Sequence, residues 1–148
     1  MSQVPILSSP FLNATIIDSL LASSSASATE KTQLLAAKIH LLTNASTPRD
    51  DPRELLQTRH ELAVAYFYVE PKQLVNAESE LTIVENEIKG FEKGSRKRGE
   101  LEGDVMVQLK KLRIRNLELL VEVEETLGRS GRAERWRLLA AELEKDTR

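Results

Sequence analysis

The side chains that could support catalysis are few and lie far apart in the sequence. Histidine occurs only at His40 and His60, on two different predicted helices. His60 and Glu61 begin like the zinc-protease motif His-Glu-x-x-His, which needs two histidines one helical turn apart on one face. Val64 stands where the second histidine would be. Both histidines are therefore interpreted as ordinary helix residues.

Other catalytic arrangements are also missing from the sequence. The chain contains no cysteine, which excludes disulfides, thiolate nucleophiles and zinc–thiolate sites and is typical of a reducing compartment. Gly94 and Gly99 do not belong to a Walker-type phosphate loop, because they neither follow a predicted strand nor lead to Lys followed by Ser or Thr. The abundant carboxylates are predicted on solvated helix faces. The sequence therefore predicts a protein that is not an enzyme and has no metal or cofactor site.

A cluster of cations between residues 93 and 115 is the clearest candidate for recognition chemistry. It holds eight cations and three acids in a chain whose net charge is −2. Clustered cations can displace counterions from a phosphate backbone, but no aromatic residues are interleaved to stack on bases. A solvated linker, a contact with an acidic protein surface, and nucleic-acid binding or nuclear import are all compatible with this pattern. The cations are Lys93, Arg96, Lys97, Arg98, Lys110, Lys111, Arg113 and Arg115.

The predicted fifth helix carries its charges against its own dipole. Cations occupy its first half, and its second half holds Glu118, Glu122, Glu124 and Glu125. Such an arrangement costs a few tenths of a kcal/mol per charge. One hypothesis is that the cations match an external charged surface.

Length and composition favour one helical domain in an aqueous compartment. A chain of 148 residues can bury a single core without disulfides or metals, and its 41% hydrophobic and 30% charged residues are typical of globular proteins. No apolar run approaches the roughly 20 residues that span a bilayer, and the start of the chain lacks a secretory signal. We expect a cytoplasmic or nuclear location without membrane contact. The sequence leaves the oligomeric state open.

Hydrophobic spacing predicts six helices in three hairpins, over residues 11–43, 52–92 and 104–145. No segment alternates with the two-residue period of a strand, so the expected fold class is all-α, with antiparallel helical hairpins stacked as a short solenoid or bundle. Residues 1–29 form a low-charge, Ser/Ala-rich segment that is either a short helix or a disordered tail. Residues 30–148 form the helical-hairpin domain, with a Gly/Lys/Arg loop at about residues 90–103.

Several local signals mark the helix ends and faces. Ser27 and Glu30 have capping-box spacing, and Pro52 follows an acceptor at Asp51, as at the start of a helix. Pro71 is expected to end the third helix. Asn116 lies on the apolar seam of the fifth helix, where it either fixes pairing register from a buried position or faces water. The seam of the fourth helix consists of Leu74, Ala77, Leu81, Val84, Ile88 and Phe91.

Two of the hairpins resemble tetratricopeptide repeats, which place small and large apolar residues at fixed positions along two helices. In the last hairpin the matching residues are Leu117, Leu120, Val121, Gly128, Ala133 and Ala140. In the middle hairpin they are Val64, Ala65, Tyr68, Ala77, Leu81 and Val84. The last hairpin departs from the pattern at Glu124, where the family has an aromatic residue, and at Arg137, where it has a large apolar one.

The resemblance implies a protein–protein interaction module, an adaptor or scaffold subunit that holds a peptide or helix of another protein. Binding would follow the concave surface of the first helices of each pair, residues 52–69 and 104–127. An obligate structural subunit and a nucleic-acid adaptor using the basic residues 93–115 are the alternatives. Trp136 is expected to pack in the last hairpin, or to anchor an interface if exposed. The candidate partner-binding residues are Arg59, Tyr66, Tyr68, Lys110, Lys111, Arg113, Arg115, Asn116 and Trp136.

Overall fold

The described part of the chain forms six helices, each packed against the next. The computed structural model describes residues 13–22, 27–43, 52–92 and 103–146, and these residues contain no strand. The predicted all-α class is therefore confirmed. The helices are α1 (Ala14–Ala22), α2 (Ala28–Thr43), α3 (Arg53–Tyr68), α4 (Leu74–Glu92), α5 (Gly103–Thr126) and α6 (Ser130–Asp146).

The helix ends agree with most of the local signals. At the start of α2, the Ser27 backbone donates to a Glu30 carboxylate oxygen and the Glu30 backbone donates to the Ser27 hydroxyl, both at 3.1 Å. The predicted capping box is therefore confirmed. Asn13 caps α1 in the same way, because its side-chain oxygen accepts from the backbone of Ile16 at 3.0 Å. Gly128 follows α5 with a φ of 81°, a conformation that glycine adopts without strain.

Three predicted boundaries shift or lie outside the described residues. Pro52 itself is the N-cap of α3, without a side-chain cap, and Asp51 lies outside the described residues. α4 begins at Leu74, three residues after Pro71. It continues to Glu92, so the first part of the predicted loop is helical, and residues 93–102 lie outside the description together with four of the eight clustered cations.

A continuous apolar core joins α3, α4, α5 and α6. The predicted seam of α4 is buried, with Ala77, Leu81, Val84 and Ile88 fully inaccessible to solvent. Leu81 belongs to one cluster with Leu117, Leu120 and Val123 of α5 and with Ala140 and Leu143 of α6. A second cluster joins Val84 and Ile88 to Leu56 of α3 and to Val105, Leu109 and Leu112 of α5. The alternating spacing of three and four therefore identified the core face correctly.

The amino-terminal hairpin is attached by both apolar and charged contacts. Leu35 and Ile39 of α2 pack against Leu62 of α3. Asp18 is the single charged residue among the first 29, and its carboxylate accepts a hydrogen bond from buried Lys38 at 2.7 Å. Burial opposes the charge of Lys38, but the bond to Asp18 and the negative charges of Asp18, Glu54 and Glu61 together outweigh this effect and raise the pKa of the ammonium group. This ion pair fixes α1 against α2.

The prediction that the carboxylates lie on solvated faces is wrong for two residues. Glu85 and Glu124 are 3% and 0% exposed. Arg113 holds Glu85 through two hydrogen bonds of 2.8 and 2.7 Å and also bonds Glu92. Both residues lie beside the apolar seams of their helices. A carboxylate can be buried there when it is paired with a cation, whereas an isolated charge cannot.

Glu124 lies at the centre of a second charged cluster. Arg132 donates to it at 2.8 Å, Arg129 lies 3.4 Å away, and both arginines also contact Glu78 of α4. Burial alone would raise the pKa of Glu124, whereas the hydrogen bonds it accepts from Arg132 and Trp136 and the positive charge of Arg132 lower it, and the net pKa shift is downward. The position where a tetratricopeptide repeat has an aromatic residue is thus filled by a neutralised carboxylate.

The unfavourable charge order along α5 is therefore compensated partly inside the fold. Arg113, in the first half, is matched by Glu85 and Glu92 of α4. Glu124, in the second half, is matched by arginines at the start of α6. Local pairing of this kind outweighs a dipole term of a few tenths of a kcal/mol. The hypothesis that cations of α5 match an external charged surface therefore remains only for Lys110, Lys111 and Arg115.

Removing one partner of the buried pair should be more damaging than removing both. We expect Arg113→Met to lower the free energy of unfolding by about 3 kcal/mol, because Glu85 would stay buried without its counter-ion. The double variant Arg113→Met, Glu85→Leu should recover most of this loss. Urea denaturation followed by circular dichroism measures both.

Arg137→Met is the matched control, since its ion pairs with Glu125 and Glu134 are exposed. It should change the free energy of unfolding far less than Arg113→Met does, because solvent screens exposed ion pairs. Equal effects of Arg113→Met and Arg137→Met would show that burial of the first pair has no energetic consequence.

Candidate functional site

A groove with a volume of about 560 Å³ lies between α3 and α5. It lies on the two helices that are the first members of the middle and last hairpins, where the resemblance places a binding surface. Its floor is formed by Leu109 and Leu112, both buried in the core. The polar residues that line it are Arg53, Glu54, Gln57, Gln108, Lys111 and Arg115.

The charge of the groove opposes that of the whole chain. Three cations and one carboxylate line it, whereas the chain has a net charge of −2. The carboxylate, Glu54, also lies 3.6 Å from the ammonium group of Lys38 of α2. The groove is thus a local positive patch, which favours ligands with negative charge.

Two hydrogen bonds cross the groove from one helix to the other. Arg53 of α3 donates to the side-chain oxygen of Gln108 of α5 at 2.8 Å. Arg115 of α5 donates to the side-chain oxygen of Gln57 of α3 at 3.3 Å. Both acceptors are neutral amides, so these two bonds orient the guanidinium groups without cancelling their charge. A ligand carboxylate could replace the amide oxygens and form stronger, charge-assisted bonds.

A buried polar link below the groove fixes the spacing of its walls. His60 of α3 and Asn116 of α5 are joined by a hydrogen bond of 3.0 Å, and the Asn116 amide nitrogen donates to the backbone oxygen of Leu81 at 2.7 Å. Since that nitrogen is used, the Asn116 oxygen accepts and His60 Nδ1 carries the proton. Of the two alternatives for Asn116, the structure shows the buried one, in which it connects three helices.

Five of the predicted partner-binding residues lie on α5, in three different environments. Lys111 and Arg115 line the groove. Arg113 and Asn116 are buried and bonded inside the protein, so their polar groups do not reach the surface. Lys110 is half-buried on the same helix but does not line the groove.

The remaining predicted residues lie on other faces. Arg59 is directed to α4, where it forms an ion pair with Glu80 at 2.9 Å. Tyr66 is half-buried against the core, and burial raises the pKa of its hydroxyl, followed in importance by the charge of Glu80. Tyr68 is 64% exposed and packs edge-on against Phe67. Trp136 packs on the core of the last hairpin, as expected.

Three groove residues were missed from the sequence. Arg53, Gln57 and Gln108 line the groove but are not among the candidate residues that the sequence indicates. A signal was present, because Arg53 and Gln57 are four residues apart on one face of α3, and Gln108 precedes Lys111 and Arg115 by three and seven residues on one face of α5. What the sequence could not show is that these two faces meet.

Comparisons with family models, curated proteins and solved structures found no match to this chain. Among the described residues, no helix is long and apolar enough to cross a membrane. Nor do residues 13–22, 27–43, 52–92 and 103–146 contain a group of three His, Asp or Glu side chains placed to hold a metal ion. What the groove can bind therefore follows from its own geometry.

The link between His60 and Asn116 should make stability depend on pH. Burial is the main cause that lowers the pKa of His60, and Arg115 contributes in the same direction. As pH falls below the ordinary histidine value of about 6.5, the unfolded chain gains a proton more readily than the folded one, so folding stability decreases. We expect the stability advantage of wild type over His60→Gln to be smaller at pH 5.5 than at pH 7.5, changing by at most about 1.4 kcal/mol per pH unit. Urea denaturation at both pH values measures it, and a difference independent of pH would contradict the assignment.

Proposed function

We propose that this chain is a non-enzymatic interaction module whose α3–α5 groove binds an acidic segment of another protein. The observation that carries the proposal is the groove lined by Arg53, Lys111 and Arg115 against a single carboxylate. Its position on the first helices of two hairpins agrees with the resemblance to tetratricopeptide repeats. An adaptor or scaffold role within a larger complex, in the cytoplasm or nucleus, is part of this proposal.

The groove supports a short contact of modest strength. Its volume of about 560 Å³ accommodates several side chains, and its buried leucine floor is flanked by amides and cations. Each ion pair at a solvated surface contributes only about 0.2–1 kcal/mol. Three such contacts, with hydrogen bonds from Gln57 and Gln108, total only a few kcal/mol, which corresponds to a dissociation constant of about 1 mM and to rapid, salt-sensitive association.

An acidic peptide fits this groove better than a nucleic acid does. Arg113, one of the clustered cations, is neutralised by Glu85 and Glu92, and no aromatic side chain among the described residues lines the groove to stack on a base. Phosphate binding without stacking would depend on few contacts and would be weak at physiological salt. Nucleic acid is therefore a competing outcome of the binding test.

Binding of defined peptides tests this proposal. We expect a fluorescein-labelled peptide of Glu, Leu and Ala to bind about tenfold more tightly than the same peptide with Gln in place of Glu, because the amide carries no charge. Fluorescence anisotropy of the full chain at two salt concentrations measures both affinities. Lys111→Glu and Arg115→Glu should each weaken binding of the acidic peptide about tenfold.

Lys89→Glu is the matched control, since it makes the same change in net charge at an exposed position of α4 outside the groove. Its affinity for the acidic peptide should stay within about twofold of wild type. Equal binding of the Glu and Gln peptides, an equal effect of Lys89→Glu, or tighter binding of a labelled single-stranded RNA would each refute the proposal.

A further inference from the structure

The outer face of α6 is exposed along its whole length. α6 packs on α5 through Ala133, Ala140 and Leu143. The opposite face carries Leu138, which is 61% exposed and lies near the middle of the helix. The exposed residues around it are Glu134, Arg135, Ala141, Glu142 and Lys145.

Two of the charges on this face differ from their neighbours. Arg132 and Arg137 form ion pairs with carboxylates of the same molecule. Arg135 and Glu142, by contrast, form no ion pair with any residue in the described part of the chain. Arg135 lies three residues before Leu138, and Glu142 lies four residues after it. Because seven residues turn an α-helix by two full turns less roughly 20°, the side chains of Arg135 and Glu142 lie on the same flank of α6. The face thus offers one uncompensated charge of each sign on either side of an apolar residue.

We propose that this face pairs with the same face of a second copy of the chain, with the two α6 helices antiparallel. The two-fold axis is perpendicular both to the helices and to the line that joins them. It reverses the chain direction and places each flank of α6 beside the same flank of the second copy. Arg135 then meets Glu142 of the second copy, and the same contact forms twice. On the other flank, Glu134 and Lys145 face each other in the same reciprocal way. Leu138 lies at the centre, and the small side chain of Ala141 lets the helices approach closely.

The contact is limited to one helix from each copy, so the dimer is weak. Its area falls below that of a standard interface, which corresponds to a dissociation constant of about 10–1,000 µM. The contribution of the charge pairs makes association decrease as salt rises. No residue that lines the α3–α5 groove lies on α6, so both grooves stay accessible in the dimer. This inference does not depend on the proposed function.

Charge reversal provides a specific test. In sedimentation equilibrium at concentrations from about 10 µM to 1 mM, the wild-type chain should show a monomer–dimer equilibrium. Arg135→Glu and Glu142→Arg should each weaken dimerisation at least about tenfold, because each places two like-charge pairs in the contact. An equimolar mixture of the two variants should associate again as a heterodimer, since both pairs are then of opposite sign. The double variant Arg135→Glu, Glu142→Arg should dimerise like wild type for the same reason.

Controls separate a local effect from a general one. Lys89→Glu changes net charge as Arg135→Glu does, on an exposed position of α4, and should leave dimerisation within about twofold of wild type. Leu138→Glu should abolish dimerisation while circular dichroism shows unchanged helix content. A wild-type chain that stays monomeric up to about 1 mM overturns the proposal. The proposal is also overturned if Arg135→Glu or Glu142→Arg leaves the dimerisation affinity unchanged. A mixture of these two variants that does not associate overturns it as well.

Discussion

The fold depends on the burial of polar groups along α5. Arg113 bonds carboxylates of α4, Asn116 joins α3 and α4, and Glu124 bonds arginines at the start of α6. In the described residues, no fully buried side-chain nitrogen or oxygen lacks a hydrogen-bond partner. A buried charge or amide tolerates only the arrangement that satisfies it. Apolar packing alone would accept several helix registers, whereas these bonds accept one.

The α3–α5 groove follows from this constraint. The bond between His60 and Asn116 holds the two helices together at mid-length, and the bonds from Arg53 and Arg115 cross between them nearer the start of α3. Arg113 compensates the buried carboxylate of Glu85, whereas the hydrogen bond of Arg115 across the groove goes to the neutral amide of Gln57. The same helix therefore contains cations with two functions. Arg113 faces α4 and pairs with its carboxylates, whereas Lys111 and Arg115 line the groove beside α3.

The sequence was sufficient for the helices and insufficient for their polar contacts. The spacing of apolar residues identified the buried face of α4, and the Ser27 and Glu30 side chains identified a helix start, because both are local properties. The prediction that Glu85 and Glu124 are solvated is wrong, because hydrophobic periodicity treats every carboxylate as solvated and takes no account of a cation that pairs with it. Their partners come from the next helix, and the groove joins residues more than 50 positions apart, as Arg53 and Gln108 show. Such contacts depend on helix orientation, which local patterns do not encode.

The arginines at the start of α6 also bear on how the protein unfolds. Arg129 and Arg132 contact Glu78 of α4 as well as Glu124 of α5, and α3 contacts α5 directly. In a simple solenoid each unit touches only its neighbour, and a terminal unit can melt while the others persist. Here, detaching α6 exposes a carboxylate in each of two preceding helices. These ion pairs couple the melting of α6 to that of α4 and α5.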